Sequence, residues 1–174
     1  MGFDEFLFQA INGLSHKLTV IDFLAIFFAE YLPYFLIVAF FLWLVFERRW
    51  QLKFYKFSLA AIAIIISRGI LVEAIRFFYY RPRPELVISI EPLIATPSLS
   101  SFPSGHAAVF FALAMAVFFV NRKNGWWFIV LAALVALARV FAGVHWFSDV
   151  VAGALLGIIS AFFAKRFLPP KSAF

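Results

Sequence analysis

Cysteine is absent from the 174 residues, which excludes both a disulfide framework and a thiolate metal site. Charge is scarce: Asp, Glu, Lys and Arg make up 14% of the chain, and only nine residues are acidic. With 65% hydrophobic residues, so few charges cannot clothe a water-facing surface. A soluble domain of this length is therefore excluded, and the mean hydropathy of +0.98 marks an integral membrane protein of one domain, residues 1–174. A basic leader is missing too. Asp4 and Glu5 stand where it would be, so no cleavable signal peptide is expected. Internal repeats and low-complexity tracts are also lacking. Among the charges that remain, the net +6 reads as an orientation signal and an attraction for anionic lipid or phosphate, not as a nucleic-acid footprint.

What is present is a series of apolar runs. Residues 3–14 place Phe3, Phe6, Leu7, Ala10, Ile11 and Leu14 at helical spacing, with Asp4, Glu5, Gln9 and Asn12 largely opposite. That predicts an interfacial amphipathic helix, too short to span, which Gly13 could end. Six runs follow: Leu18–Glu30, Leu32–Phe46, Phe54–Tyr80, Ala107–Val120, Trp126–Val144 and Val150–Phe167. A span needs about 20 apolar residues. The expected fold is an all-α integral membrane protein, a six-helix transmembrane bundle, falling back to five if Leu18–Glu30 does not span. Arg48, Arg49, Lys53 and Lys56 fill one connection, Arg122 and Lys123 a second, and Lys165, Arg166 and Lys171 the C-terminus. Alternating helices put all three groups on one side, the cytoplasmic one. The long loop 79–104, with Pro82, Pro84, Pro92, Pro97 and Pro103, then faces outward. Its Arg81 and Arg83 break the orientation rule, which suggests another task for them.

Ionisable groups inside a membrane are costly and mark function. Here they gather at the outward helix ends: Arg76, Arg83, Ser104-Gly105-His106, Arg139, His145 and Asp149. Three arginines offer forked donors for phosphate oxygens. Pro103-Ser104-Gly105 opens a helix whose first N–H groups favour an anion, and Gly105 allows close backbone approach. His145 and Asp149, four apart, share a helical face. An Asp bonded to one imidazole nitrogen leaves the other as nucleophile, and His106 is then available to protonate a leaving oxygen. Plainer readings exist: interfacial histidines, Arg139 capping a helix end, Asp149 as a simple N-cap. A metal site from His106, His145 and Asp149 is conceivable, although three arginines would repel a divalent ion. Their conjunction favours phosphoryl transfer with arginines in place of a metal.

These residues resemble the motif of the type-2 phosphatidic acid phosphatase superfamily of membrane lipid phosphatases. Its first block, Lys, six residues, Arg-Pro, is matched by "RFFYYRPRP" with Arg76, Arg83 and Pro84. Its second, Pro-Ser-Gly-His, is intact as Pro103 to His106. Its third, Ser-Arg, five residues, His, three residues, Asp, is matched by "ARVFAGVHWFSD" through Arg139, His145 and Asp149. Two positions depart: Arg76 replaces the Lys, and Ala138 the Ser, which puts phosphate affinity in doubt. The resemblance implies that His145 attacks phosphorus and becomes a phosphohistidine, Asp149 orients it, and His106 protonates the leaving group. Arg76, Arg83, Ser104, Gly105 and Arg139 would hold the phosphoryl oxygens, with no cofactor and no metal.

The stretch "FQAINGLSHKLTVIDFLAIFFAEY" is similar to the bacitracin-resistance type of undecaprenyl-diphosphatases. Those small bacterial enzymes recycle the lipid carrier of peptidoglycan synthesis on the outer face of the plasma membrane. The partners implied are a polyprenyl diphosphate or other lipid phosphate, and membrane lipids. A phosphatidylglycerophosphate or phosphatidic acid phosphatase is the alternative within the class. A vanadate-dependent haloperoxidase, soluble, and a non-enzymatic transporter or scaffold are alternatives outside it. Arg68 and Glu73 lie five apart on one helix; Arg68 is expected to form an intramembrane ion pair with a neighbour such as Glu73, Asp22 or Glu30, and the other reading places it on a wall of the substrate cleft. His16 and Lys17 are read as interfacial.

Overall fold

Lipid offers backbone groups no partner, so long apolar runs fold as unbroken helices that satisfy every N–H and C=O internally. The computed structural model describes residues 2–96 and 100–169; Pro97 and Lys171 lie outside the described residues. Among the described residues there are seven helices: α1 Phe3–Asn12, α2 Thr19–Val45, α3 Trp50–Phe78, α4 Pro84–Val87, α5 Gly105–Val120, α6 Arg122–Phe141 and α7 Phe147–Phe167. Four of them, α2, α3, α6 and α7, are long and apolar enough to cross a membrane.

The expected six spans are corrected. Leu18–Glu30 and Leu32–Phe46 do not form two helices; they merge in the 27 residues of α2. Pro33 does not break the rod, because it follows π-helical turns at Phe27–Tyr31. Such turns absorb an irregularity without ending a helix. Helix α5 has 16 residues. At 1.5 Å per residue that is about 24 Å, short of the roughly 30 Å hydrocarbon core. It lies at the centre, where Ala107, Ala108, Ala112, Ala114, Ala116 and Val117 are buried by its neighbours. The bundle therefore has five long members, four of them of spanning length. Lys53 and Lys56 lie on α3 and not in a connection; Lys56 is buried, pairs with Glu47 at 2.8 Å and lies over the Trp43 ring.

Small residues bring α7 against α5. A Cβ added to Gly153 would come within 2.3 Å of the Ser104 carbonyl oxygen, and one added to Gly157 within 2.4 Å of that of Ala108. Two glycines four apart make the close-packing pattern of membrane helices. Outward-facing Phe35, Val38, Phe41, Leu155, Ile159 and Phe162 supply an exposed apolar surface suited to lipid. Helix α1 ends as expected at Gly13, whose N–H donates to the Gln9 carbonyl. It docks on the head of the bundle: Phe8 is 1% exposed and packs on Trp146 with centroids 5.2 Å apart. Asn12 Nδ2 donates to the Phe141 carbonyl at the end of α6. The described part of the 79–104 loop folds over the same end, where the Leu93 N–H donates to the Ala142 carbonyl.

Candidate active site

Helix ends deliver the site. Arg76 comes from the last turn of α3, Arg83 from the residue before α4, Gly105 and His106 from the first turn of α5, Arg139 from the last turn of α6 and His145 from the α6–α7 connection. All six line one cavity of ≈ 400 Å³, together with Arg68, Glu30, Tyr31 and Tyr34. Stretches 115 residues apart in sequence, Glu30 to His145, thus share one cup.

Several arginines are aimed by carbonyls. Arg76 Nη2 donates to the Pro103 carbonyl at 3.0 Å, and Arg83 Nη1 to that of Val144 at 2.5 Å. Arg139 Nη1 donates to the Ala29 carbonyl at 3.3 Å. Pro33, which has no N–H to return to the carbonyl four residues earlier, is what exposes Ala29 to this contact. Ala138, the departure beside Arg139, packs among Ala29, Ile94, Ala142 and Val144, an apolar nest with no use for a hydroxyl.

His145 is 1% exposed, and Asp149 Oδ2 lies 3.5 Å from its Nδ1, within ion-pair reach but without the alignment of a hydrogen bond. Burial pushes the imidazole down to about 4, with Arg139 and Arg83 adding to the shift and Asp149 opposing it. The ring is therefore neutral at physiological pH, and one of its nitrogens carries a lone pair. Burial likewise lowers Arg83, against Glu85 and Asp149.

Asp149 is the best-satisfied group nearby. It accepts from the Trp146 N–H at 2.8 Å, from Arg81 Nη1 at 2.8 Å and from Ser101 Oγ. It is not an N-cap: Trp146 holds that position and Asp149 sits three residues into α7. Ser104 also stands behind the cavity wall, fully buried, its Oγ accepting from the Ala107 N–H.

Sequence reasoning grouped Arg81 with Arg83 as exceptions to the charge rule but gave it no role. In the structure Arg81 bridges Asp149 to Asp4, at 2.6 Å, and to Ser148 Oγ, at 2.7 Å. Asp4 in turn accepts from the Ser148 N–H and Oγ, which fastens α1 to the first turn of α7. Burial works against the Asp4 carboxylate, yet the Ser148 and Arg81 hydrogen bonds hold it below its ordinary value. Ser101 and Asp4 carried no sequence signal. Arg68 and Glu73 form the expected ion pair, and Arg68 also lines the cavity, so both readings of it describe real contacts. His16, read as interfacial, places its Nε2 2.9 Å from the Glu91 carbonyl.

A cup of guanidiniums around a neutral imidazole suits a phosphoryl group: the arginines neutralise its oxygens while a lone pair faces phosphorus. Comparison with known proteins agrees with that chemistry. Residues 57–172 match the model of the PAP2 superfamily. The chain is 32% identical to the bacitracin transport permease protein BcrC of Bacillus licheniformis, over 95% of this chain and 80% of that one. It is 29% identical to the undecaprenyl-diphosphatase BcrC of Bacillus subtilis, over 92% and 82%. The crystal structure of Aquifex aeolicus LpxE superposes with a TM-score of 0.79 at 27% identity, covering 96% of this chain and 97% of that one. Three sequence blocks meeting in one cavity, and a family model spanning most of the bundle, have a single common reading: the chain belongs to the PAP2 superfamily.

Proposed function

We propose that this protein is a metal-independent lipid phosphatase that releases one phosphate from undecaprenyl diphosphate, in a single domain whose site opens outside the cytoplasm. The observation that carries this is the shared cavity of His106, His145, Arg76, Arg83 and Arg139. Nε2 of His145 attacks the terminal phosphorus, and the bond to the bridging oxygen breaks. His106 gives that oxygen its proton, and lipid monophosphate leaves. Water, losing a proton to His106, then attacks the phosphohistidine, and inorganic phosphate departs with the His145 lone pair restored. Arg76, Arg83, Arg139 and the start of α5 at Gly105, which Ser104 caps from behind the wall, stabilise the charge on the transferring group. Asp149 orients His145.

Support for the substrate comes from the two BcrC relatives. One is named a permease and the other a diphosphatase, and the His145–Asp149 pair beside an arginine cup favours the second. A solvated anion site for transport has no need of a carboxylate-backed imidazole.

The test is a substrate panel in detergent: undecaprenyl diphosphate, phosphatidylglycerophosphate and phosphatidic acid, with excess chelator present throughout. Phosphate release should be fastest from the diphosphate and unaffected by chelator. His145→Ala should lower kcat by more than about 10³-fold. Release that survives His145→Ala, or that needs added magnesium, removes the mechanism; a preference for phosphatidylglycerophosphate reassigns the substrate.

A further inference from the structure

Arg68 belongs to none of the three sequence blocks and has no part in the attack, yet it lines the cavity. It stands on the π-helical turns Ile65–Val72 of α3. Such turns re-aim a side chain and recur at functional sites. Its stem lies against Gly105, where an added Cβ would come 2.7 Å from Nε and 3.0 Å from Cδ. The glycine next to His106 thus leaves the space that Arg68 uses. Its partner Glu73 does not lock it away, since the two side chains are 39% and 53% exposed.

Beside the cup lies a second hollow of ≈ 250 Å³, walled by Pro33, Ile37, Val109 and Phe110. Arg68, Glu30, Tyr34, Gly105 and His106 line both spaces. Arg68 therefore stands where a cationic cup meets an apolar trough, the place at which a lipid headgroup turns into its tail.

Charge balance points the same way. Arg76, Arg83 and Arg139 against Glu30 leave two positive charges, enough for the roughly −2 of a phosphomonoester. Arg68 brings a further positive charge, shared with Glu73 outside the lining, to set against the additional ionised oxygen of a diphosphate. We infer that Arg68 binds the inner, tail-bearing phosphate of a lipid diphosphate, while Arg76, Arg83 and Arg139 hold the terminal phosphate at His145 and the trough takes the first carbons of the tail. The inference rests on the lipid-phosphatase reading and makes Arg68 the residue that distinguishes diphosphate from monophosphate.

Non-hydrolysable probes test this apart from turnover. Purified protein is titrated with methylenediphosphonate and with methylphosphonate, and ligand-induced thermal stabilisation gives the affinities. The wild type should bind the diphosphonate more tightly. Arg68→Gln should weaken diphosphonate binding about tenfold or more, the loss of a charge-assisted contact, and methylphosphonate binding by less than twofold. Equal losses on both probes, or an intact preference for the diphosphonate, would overturn the assignment. Glu73→Gln carries the test if Arg68→Gln does not fold: releasing Arg68 should strengthen diphosphonate binding alone, and an unchanged preference overturns it. A farnesyl-substituted methylenediphosphonate should bind more tightly than the bare one; equal binding removes the trough from the assignment. Neither phosphonate is turned over, so a wild type inactive on undecaprenyl diphosphate would sink the diphosphatase reading and leave the Arg68 result standing.

Discussion

The proposed attack by His145 needs a lone pair, and the surroundings of the ring supply it. A ring this buried cannot hold a proton beside Arg83 and Arg139, and its pKa of about 4 is the consequence. The sign follows directly. Above about pH 4 the imidazole is neutral and able to attack; below it the ring is protonated and inert. The acid limb of kcat/KM, which reports the free enzyme, should therefore fall near pH 4 and not near the ordinary histidine value of about 6.5. A pH series on a soluble short-chain substrate checks this, and an acid limb centred at 6.5 would mean that His145 is solvated in the working enzyme. Most of the cup was legible in residue order. Motif spacing named Arg76, Arg83, Gly105, His106, Arg139 and His145, all of which line it, because a helix end fixes which neighbours face a cavity. Asp149 was legible as a partner of His145 but not as the hub of Ser101, Arg81 and Trp146, since loops carry no period from which to read contacts.

Helices set the tolerances within which those residues work. Gly157 faces backbone atoms of α5, the Ala108 oxygen and the Ala112 nitrogen, neither of which can swing aside as a side chain would. Gly157→Ala and Gly153→Ala should each lower stability by about 1–3 kcal/mol, the usual cost of overpacking. Gly153→Ala should also lower activity, because the atom it meets is the carbonyl of Ser104, one residue before the helix that carries His106. Gly69, whose added Cβ would meet only Ile65 Cγ2 at 4.0 Å, is the control. Thermal unfolding in detergent separates them, and equal melting points for all three would contradict the packing.

A second coupling joins α1 to α7. Asp4, Arg81 and Ser148 form one hydrogen-bonded unit whose far end is Asp149, so Asp4→Ala and Arg81→Ala should fail together. Their effects on kcat should fall short of additive by about 1 kcal/mol or more; strict additivity would show that α1 merely lies against the bundle. This link spans 145 positions, from Asp4 to Asp149, and sequence pattern alone could not have found it. The misread of α2 has the opposite origin. Pro33 removes an N–H from the helix, but the Ala29 carbonyl accepts from Arg139 instead, and the two runs join in one rod.

Across the whole molecule, the bundle separates its charges by end. Arg48 and Arg49 precede α3, Arg122 and Lys123 open α6, and Lys165 and Arg166 close α7, all at the end remote from the cup. The opposite end holds Arg76 and Arg83 of the cavity, turned inward on carbonyls, and Arg81, turned on Asp149, all so removed from the count that orients loops. The basic end should therefore lie in the cytoplasm and the cup outside, at the outer leaflet. Absence of cysteine makes this directly measurable, since one introduced thiol is then the only thiol. Ser89 is exposed in the loop over the site, and Gln51 is exposed at the basic end of α3. In intact cells an impermeant maleimide should label Ser89→Cys fully and Gln51→Cys only after lysis. Labelling in the reverse order would place the cup in the cytoplasm. A carrier presented on the outer leaflet would then be out of reach, and the lipid substrate would have to be sought among phosphates made on the inner leaflet.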